Sequence, residues 1–255
     1  MIEENKLQEI EKKLSGSLVY DNLHKALYAT DASVYRKIPL AIAYPKDEKD
    51  LQILIEFATS NLVTLIPRTA GTSLAGQCVG EGIIVDVSKH FTNIIAFDEL
   101  NKTITVEPGV VRDELNLFLK PFGLFFGPNT STSNRCMIGG MVGNNSSGST
   151  SIKYGVTRDK VLQIDGILSD GSKVSFKEIS SKEFKLKTQQ KTLEGEIYAS
   201  IFKELSQERI QQEIKNQFPK PSIHRRNTGY AVDELLTSNL FGGQETTINI
   251  AKLLA

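Results

Sequence analysis

Residues 40–76 read LAIAYPKDEKDLQILIEFATSNLVTLIPRTAGTSLAG. The run 40–44 is apolar enough for a buried strand. After Pro45, Asp47 is placed to cap a helix with Leu51, Leu54, Ile55 and Ala58 on one stripe at i, i+3, i+4 and i+7. Asn61 ends that pattern, and 63–66 is again strand-like. A helical crossover between two strands implies parallel pairing. The polar loop 67–76 then leaves the carboxyl end of a parallel strand, where α/β sheets favour ligands. Gly71 and Gly76 allow successive N–H groups to turn toward one point and form a nest for phosphate oxygens, with Arg68 adding charge. An ordinary Gly/Ser connection remains the alternative on this segment alone.

Working outward, residues 1–34 read as an N-terminal segment of two short amphipathic helices, the first carrying Leu7, Ile10 and Leu14. A domain spanning 35–255 is expected to follow. Runs at 83–87, 94–97 and 103–106 read as strands, the last two forming a hairpin about Asn101-Lys102, and 112–119 reads as a helix. Segments 161–168 and 173–176 flank Ser169-Asp170-Gly171-Ser172, where Asp-Gly supplies the positive φ of a tight hairpin. Residues 177–217 are charged and helix-prone, with Leu193, Ile197, Ile201 and Leu205 on one stripe, and read as a helical insertion outside the sheet. The fold class is α+β.

The second polar crossing is NTSTSNRCMIGGMVGNNSSGSTSI, residues 129–152, in which 17 of 24 residues are Gly, Ser, Thr or Asn and only Arg135 is charged. Such a composition alone describes a flexible linker. Met137, Ile138, Met141 and Val142 interrupt it with apolar anchors. A packed, irregular backbone must satisfy its polar groups, and a neutral, donor-rich loop does so by wrapping a ligand rich in acceptors, such as a nucleotide.

Composition narrows the function classes. Among 255 residues, 30 basic groups balance 30 acidic ones, so the basic footprint of a general nucleic-acid binder is missing. The acidic start MIEENKLQEI is unlike a secretory signal, and no run of about 18 apolar residues predicts a membrane span. A cytoplasmic protein is expected, with peripheral membrane association through a partner left open. Cys78 and Cys136 stand apart with no metal-binding spacing, and no metal is expected. GTSLAGQC lacks the Gly-Lys-Ser/Thr of a P-loop. Neither a Rossmann G-x-G-x-x-G nor a G-x-S-x-G elbow occurs, which disfavours a P-loop ATPase, a Rossmann dinucleotide site and serine-hydrolase chemistry.

In this order, PRTAGTSLAG (67–76) resembles the pyrophosphate loop, and GPNTSTSNRCMIGGMVGNNSSG (127–148) the flavin-wrapping loop, of the vanillyl-alcohol oxidase and p-cresol methylhydroxylase (PCMH) superfamily. YGVTRDKVLQIDGILSDG (154–171) is similar to the stretch that follows. HRRNTGYAVDEL (224–235) resembles the branch of D-lactate dehydrogenases, glycolate oxidase flavoprotein subunits and D-2-hydroxyglutarate dehydrogenases. The resemblance implies a PCMH-type FAD-binding domain with two α/β subdomains flanking the flavin, truncated at its carboxyl end. It implies FAD contacts from Pro67, Arg68, Thr69, Ala70, Gly71, Thr72 and Ser73 at the diphosphate. Pro128, Ser131, Gly139, Gly140, Asn144, Asn145, Ser147 and Gly148 would line the ribityl chain and ring, and Ile164 would meet the adenine side. Thr72 stands where relatives with covalent flavin often carry histidine, which implies non-covalent FAD. Ala70 stands where glycine is common.

The implied reaction is oxidation of a 2-hydroxy acid of the D-lactate, glycolate or D-2-hydroxyglutarate class by hydride transfer to flavin N5, with an unspecified electron acceptor. The short basic cluster with Arg225, Arg226 and Tyr230 is a candidate to grip the substrate carboxylate, a solvated charged turn being the equal alternative. The catalytic base is expected in a missing carboxyl-terminal part, so that the fragment alone is not a complete catalyst. Two alternatives stay open: a non-catalytic nucleotide- or anion-binding module, and a flavin-dependent reductase of cell-wall precursor synthesis.

Overall fold

The computed structural model describes residues 3–220, 222–223 and 229–255. The chain divides into two compact units, Met1–Met141 and Val142–Ala255.

In the first unit, α1 (Glu4–Glu11) turns Leu7 and Ile10 inward and leads into β1 (Ser17–Val19). After α2 (Asn22–Leu27), capped by the Asp21 carboxylate, come β2 (Ala41–Tyr44), α3 (Glu48–Asn61), β3 (Leu65–Arg68) and β4 (Ile83–Asp86). Asp47 caps α3 by accepting from the Asp50 amide at 2.9 Å, and Leu62 ends it in the left-handed conformation. The sheet order is β1-β2-β4-β3. The helical crossover is present, but β2 and β3 are not neighbours: β4 lies between them, parallel to both. Its four residues are all buried, as the central strand of a covered parallel sheet requires.

The amino-terminal segment differs from the expected pair of helices, because β1 intervenes and pairs antiparallel with β2, Ser17 opposite Tyr44. Three residues are too few to show a period, which is why the strand escaped the sequence pattern. Two features dock it. A Cβ at Gly16 would lie 2.1 Å from the Tyr44 carbonyl oxygen, so only glycine fits there. The buried Asp50 carboxylate accepts from the amides of Ser15, Gly16 and Lys46 at 2.8–2.9 Å. Leu7, Ile10, Leu18, Leu54 and Ile83 then share one core, each apolar side chain contributing about 1.5–3 kcal/mol of burial.

The hairpin β5 (Ile94–Asp98) and β6 (Thr103–Val106) turns through Lys102 at φ 54° and packs on α4 (Arg112–Leu119), burying Val110, Leu115 and Leu119. Helix α5 (Ile138–Gly143) runs across the division between the units.

The second unit begins with the one-turn helices α6 (Ser151–Tyr154) and α7 (Thr157–Lys160). Strands β7 (Gln163–Ile167) and β8 (Lys173–Ser180) form the expected hairpin, with Gly171 at φ 81° and Asp170 accepting from the Ser172 amide. β8 continues to Ser180 rather than ending at Phe176, so the helical stretch begins later than the sequence suggests. It comprises α8 (Ser181–Lys187), α9 (Leu193–Leu205) and α10 (Glu208–Gln217). These helices lie outside the sheet in sequence but share its core: Phe184, Tyr198, Leu205 and Ile214 pack with Val174, Phe176 and Ile179. After α11 (Val232–Leu235), β9 (Thr247–Asn249) adds a third antiparallel strand beside β8, and α12 (Ala251–Leu254) follows. β9, another three-residue strand, has no counterpart in the sequence reading. No helix among the described residues is long and apolar enough to cross a membrane.

Candidate functional site

The loop 67–76 leaves the sheet at the carboxyl end of β3. Arg68 stands opposite Asp86, and its carbonyl accepts from the Val87 amide at 3.0 Å. Pro67 sits without conflict because β3 is an edge strand. Gly71 takes φ 64°, which a side chain would resist. Ala70 is not among the positive-φ residues, so alanine in place of glycine costs no backbone strain there. Ser73 Oγ donates to Gln77 Oε1 at 2.7 Å and accepts from the Ala75 amide at 3.1 Å. Thr69 and Thr72 are half-buried. The Arg68 guanidinium is held within the protein, Nη1 donating to the Thr30 carbonyl at 2.8 Å.

The second crossing is anchored and is no linker in its first half. Pro128 is buried, and its carbonyl accepts from Arg112 Nε at 3.1 Å, while Nη2 of the same arginine reaches the Phe126 carbonyl. Asp113 pairs with Arg112 at 2.9 Å and accepts from Ser133 Oγ at 3.0 Å. The amides of Arg112, Asp113, Ile138 and Gly139 bond across to Cys136, Ser133, Val110 and Pro108. The amide of Gly139 therefore serves the fold, whereas Ser131 and Gly140 are exposed. A Cβ at Gly140 would lie 2.6 Å from Thr69 Oγ1. That close approach brings the two polar crossings together within the first unit.

In the second unit, Asn145 is buried, 4 % exposed, in a left-handed conformation at φ 43°. Its Oδ1 accepts from the Arg158 amide at 3.0 Å, and its Nδ2 is a buried donor with no partner in the structure. The neighbouring Ser146 carbonyl accepts from both the amide and the hydroxyl of Thr157. Asn144 is exposed and reaches Ser146 Oγ at 3.4 Å, Ser147 is half-buried, and the Gly148 amide donates to Ser151 Oγ at 2.9 Å. Ile164 is half-buried on β7 opposite Phe176. Tyr230 is 70 % exposed. Arg225 and Arg226 lie outside the described residues.

Sequence reasoning missed the supports. Arg112 and Asp113 open α4 as an ordinary charged pair, and nothing local marks them as holding a loop that ends beyond residue 130. Thr157 and Arg158 fall inside 154–171, whose resemblance to the family assigns neither residue a role. Burial pushes the Cys78 thiol up from its ordinary value. Burial, together with the hydrogen bond to Asp86, raises the Tyr28 hydroxyl strongly, so both groups stay protonated at neutral pH. Among the described residues, no group of three or more His, Cys, Asp or Glu is placed to hold a metal ion.

The protein family described as "FAD binding domain" matches residues 39–177. The chain is similar to the D-2-hydroxyglutarate dehydrogenase of Escherichia coli (strain K12), 32 % identical over 254 residues, covering 98 % of this chain and 24 % of that protein. It is similar to the glycolate oxidase subunit GlcD of Bacillus subtilis (strain 168), 34 % identical over 163 residues, covering 62 % of this chain and 35 % of that one. Among solved structures, an alkyldihydroxyacetonephosphate synthase superposes with a TM-score of 0.61 at 18 % identity, over 69 % of this chain and 38 % of the other. That likeness is one of fold, and it agrees with the α+β class. The chain spans about a quarter to a third of the length of these two curated relatives.

The residues present fit FAD. The partnerless Nδ2 of Asn145 is a donor awaiting an acceptor, since a buried donor left unpaired costs about 1–3 kcal/mol. At Gly71 and Gly140 the place a Cβ would take is filled by the Arg68 guanidinium and by Thr69 Oγ1, so glycine there lets the two polar crossings close on the main chain.

Proposed function

The chain belongs to the FAD binding domain family, and from that premise we propose that it is the FAD-binding portion of a longer flavin-dependent oxidoreductase acting on a 2-hydroxy acid. The observation that carries the reading is the close approach of Gly140 to Thr69, which joins the two neutral, donor-rich crossings. In this reading Pro67, Arg68, Thr69, Ala70, Gly71, Thr72 and Ser73 form the diphosphate cradle. Pro128, Ser131, Gly139, Gly140, Asn144, Asn145, Ser147 and Gly148 serve the ribityl chain and ring, and Ile164 serves the adenine side through its backbone.

Main-chain amides hold a diphosphate without a metal: a charge-assisted hydrogen bond contributes about 1.5–3 kcal/mol, so a few offset the cost of removing the charge from water. Thr72 offers a hydroxyl and no imidazole, which supports non-covalent binding. When bound, FAD supplies the acceptor for the hydride leaving the hydroxyl-bearing carbon. Arg225, Arg226 and Tyr230 are proposed to orient the substrate carboxylate, a guanidinium matching it in a two-pronged way. The domain assignment that goes with this reading is an amino-terminal segment to residue 34, followed by the FAD-binding domain. The substrate class is proposed from the similarity to a D-2-hydroxyglutarate dehydrogenase and a glycolate oxidase subunit.

The visible spectrum tests the cofactor. The purified chain, as isolated or after incubation with FAD and gel filtration, is expected to show bands near about 370 and 450 nm, the signature of the flavin ring. Acid precipitation is expected to release all the colour into the supernatant. Protein that stays colourless with excess FAD refutes the reading, and colour retained in the pellet refutes non-covalent attachment. In the longer enzyme, Arg226→Met is expected to raise KM for the hydroxy acid; an unchanged KM removes Arg226 from the substrate site.

A further inference from the structure

We propose that residues 28–36, ahead of the segment that matches the FAD binding domain family, form a clamp that sets the shape of the glycine loop, with Arg68 as the positioning residue that transmits it. The proposal rests on the FAD reading above. The loop from Thr69 to Cys78 contains neither helix nor strand; Ser73 Oγ bonds to the Ala75 amide and to Gln77, and the Gly76 carbonyl accepts from the Val79 amide just beyond it. A nest of amides works only if its N–H groups are held in position before the anion arrives. Residues 28–36 do the holding at both ends of the loop.

At the first end, the Tyr28 ring lies beneath the Arg68 guanidinium, 4.9 Å from centroid to Cζ, while Tyr28 Oη donates to the buried Asp86 carboxylate at 2.5 Å. Arg68 Nη1 donates to the Thr30 carbonyl at 2.8 Å, and its Nη2 lies 2.5 Å from where a Cβ on Gly71 would stand. The guanidinium is thus wedged between the Tyr28 ring and the Gly71 backbone. The Ala32 amide completes this end by donating to the Gly71 carbonyl at 3.2 Å. At the second end, the Tyr35 ring lies 2.8 Å from the Cβ position of Gly76, at φ 70°, and Asp31 Oδ2 faces Cys78 Sγ at 3.7 Å. The clamp is closed on itself: Thr30 pairs with Arg36, the Lys37 amide donates to Ala29, and Asp31 Oδ1 accepts from the Ser33 amide. Tyr28 and Asp86 are 58 positions apart in sequence, so local pattern gives no sign of the device.

The test separates a clamp from a direct ligand. FAD, ADP and riboflavin are titrated against the full chain and against Tyr28→Leu, Arg68→Met, Arg68→Lys and the double variant Tyr28→Leu/Arg68→Met, with melting of the flavin-free protein as a folding control. Tyr28→Leu carries no charge to lose, yet it is expected to weaken FAD and ADP about tenfold while leaving riboflavin, which lacks the diphosphate, within about twofold. Arg68→Met is expected to do the same, Arg68→Lys to recover part of the loss, and the double variant to lose no more than either single one. Retention of FAD and ADP affinity by folded Tyr28→Leu overturns the clamp and leaves Arg68 as a ligand of the diphosphate. An equal loss of riboflavin and FAD also overturns it. A wild-type chain that binds neither FAD nor ADP overturns the FAD reading itself, and the clamp with it.

Discussion

Gly140→Ala is the sharpest probe of the meeting of the two crossings. The new Cβ would lie 2.6 Å from Thr69 Oγ1, well inside the ordinary contact range that begins at 3.4 Å, while the Thr69 Cβ stands at a comfortable 4.0 Å. Either the two loops separate or Thr69 abandons its rotamer, and both move donors off the shared cradle. Moving the Thr69 hydroxyl off its rotamer costs about 0.5–1.5 kcal/mol, which corresponds to a loss of roughly 2- to 13-fold in FAD affinity. Quenching of flavin fluorescence reads the affinity, and melting of the flavin-free protein separates a local effect from unfolding. The same substitution made in a Thr69→Ala background meets no oxygen, so its cost there is expected to fall to about zero whatever Thr69→Ala does alone. An affinity within about twofold of wild type for Gly140→Ala, or an equal cost in both backgrounds, refutes the reasoning.

Asn145→Asp keeps the acceptor for the Arg158 amide but removes the partnerless Nδ2 donor, and is expected to weaken FAD about tenfold or more in flavin titrations; unchanged affinity removes Asn145 from the site. Phe184→Ala empties a fully buried position bordered by Tyr198 at 4.9 Å and Phe241 at 6.3 Å, and is expected to cost about 3–5 kcal/mol in urea unfolding; a cost under about 1 kcal/mol would show that the helices of the second unit do not share the sheet's core. Burial alone would raise the Asp31 carboxyl, but hydrogen bonds from Ser33 outweigh it and hold the pKa below its ordinary value of 3.8. A depressed carboxylate contributes stability above its unfolded pKa and loses it as pH falls through the folded one. The wild type is therefore expected to lose stability below pH 3.8 more steeply than Asp31→Asn, and identical acid-melting slopes would contradict this.

How far the sequence could be read depends on whether a feature is local. The helix capped by Asp47, the hairpin at Gly171 and the strand ending at the glycine loop each rest on a period or a turn signal within a few residues, and each is present. Strand order is not local. The placement of β4 between β2 and β3 depends on which edge the chain returns to after the loop, and no periodicity encodes that choice. β1 and β9 span three residues each and were invisible for lack of length. At the site, composition disclosed both crossings because long neutral donor runs are unusual. Their supports, Arg112 under Pro128 and Tyr28 under Arg68, are ordinary residues whose roles come from contacts distant in sequence.

Backbone amide NMR of the isotope-labelled chain, recorded with and without FAD, tests the central claim most directly. The account predicts that the amides of residues 69–73 and of Gly140 shift together on one saturation curve, that the side-chain Nδ2 signals of Asn145 follow it, and that ADP reproduces the changes at 69–73. Shifts confined to one crossing, or amides of both that stay unmoved while FAD binds elsewhere, would contradict it.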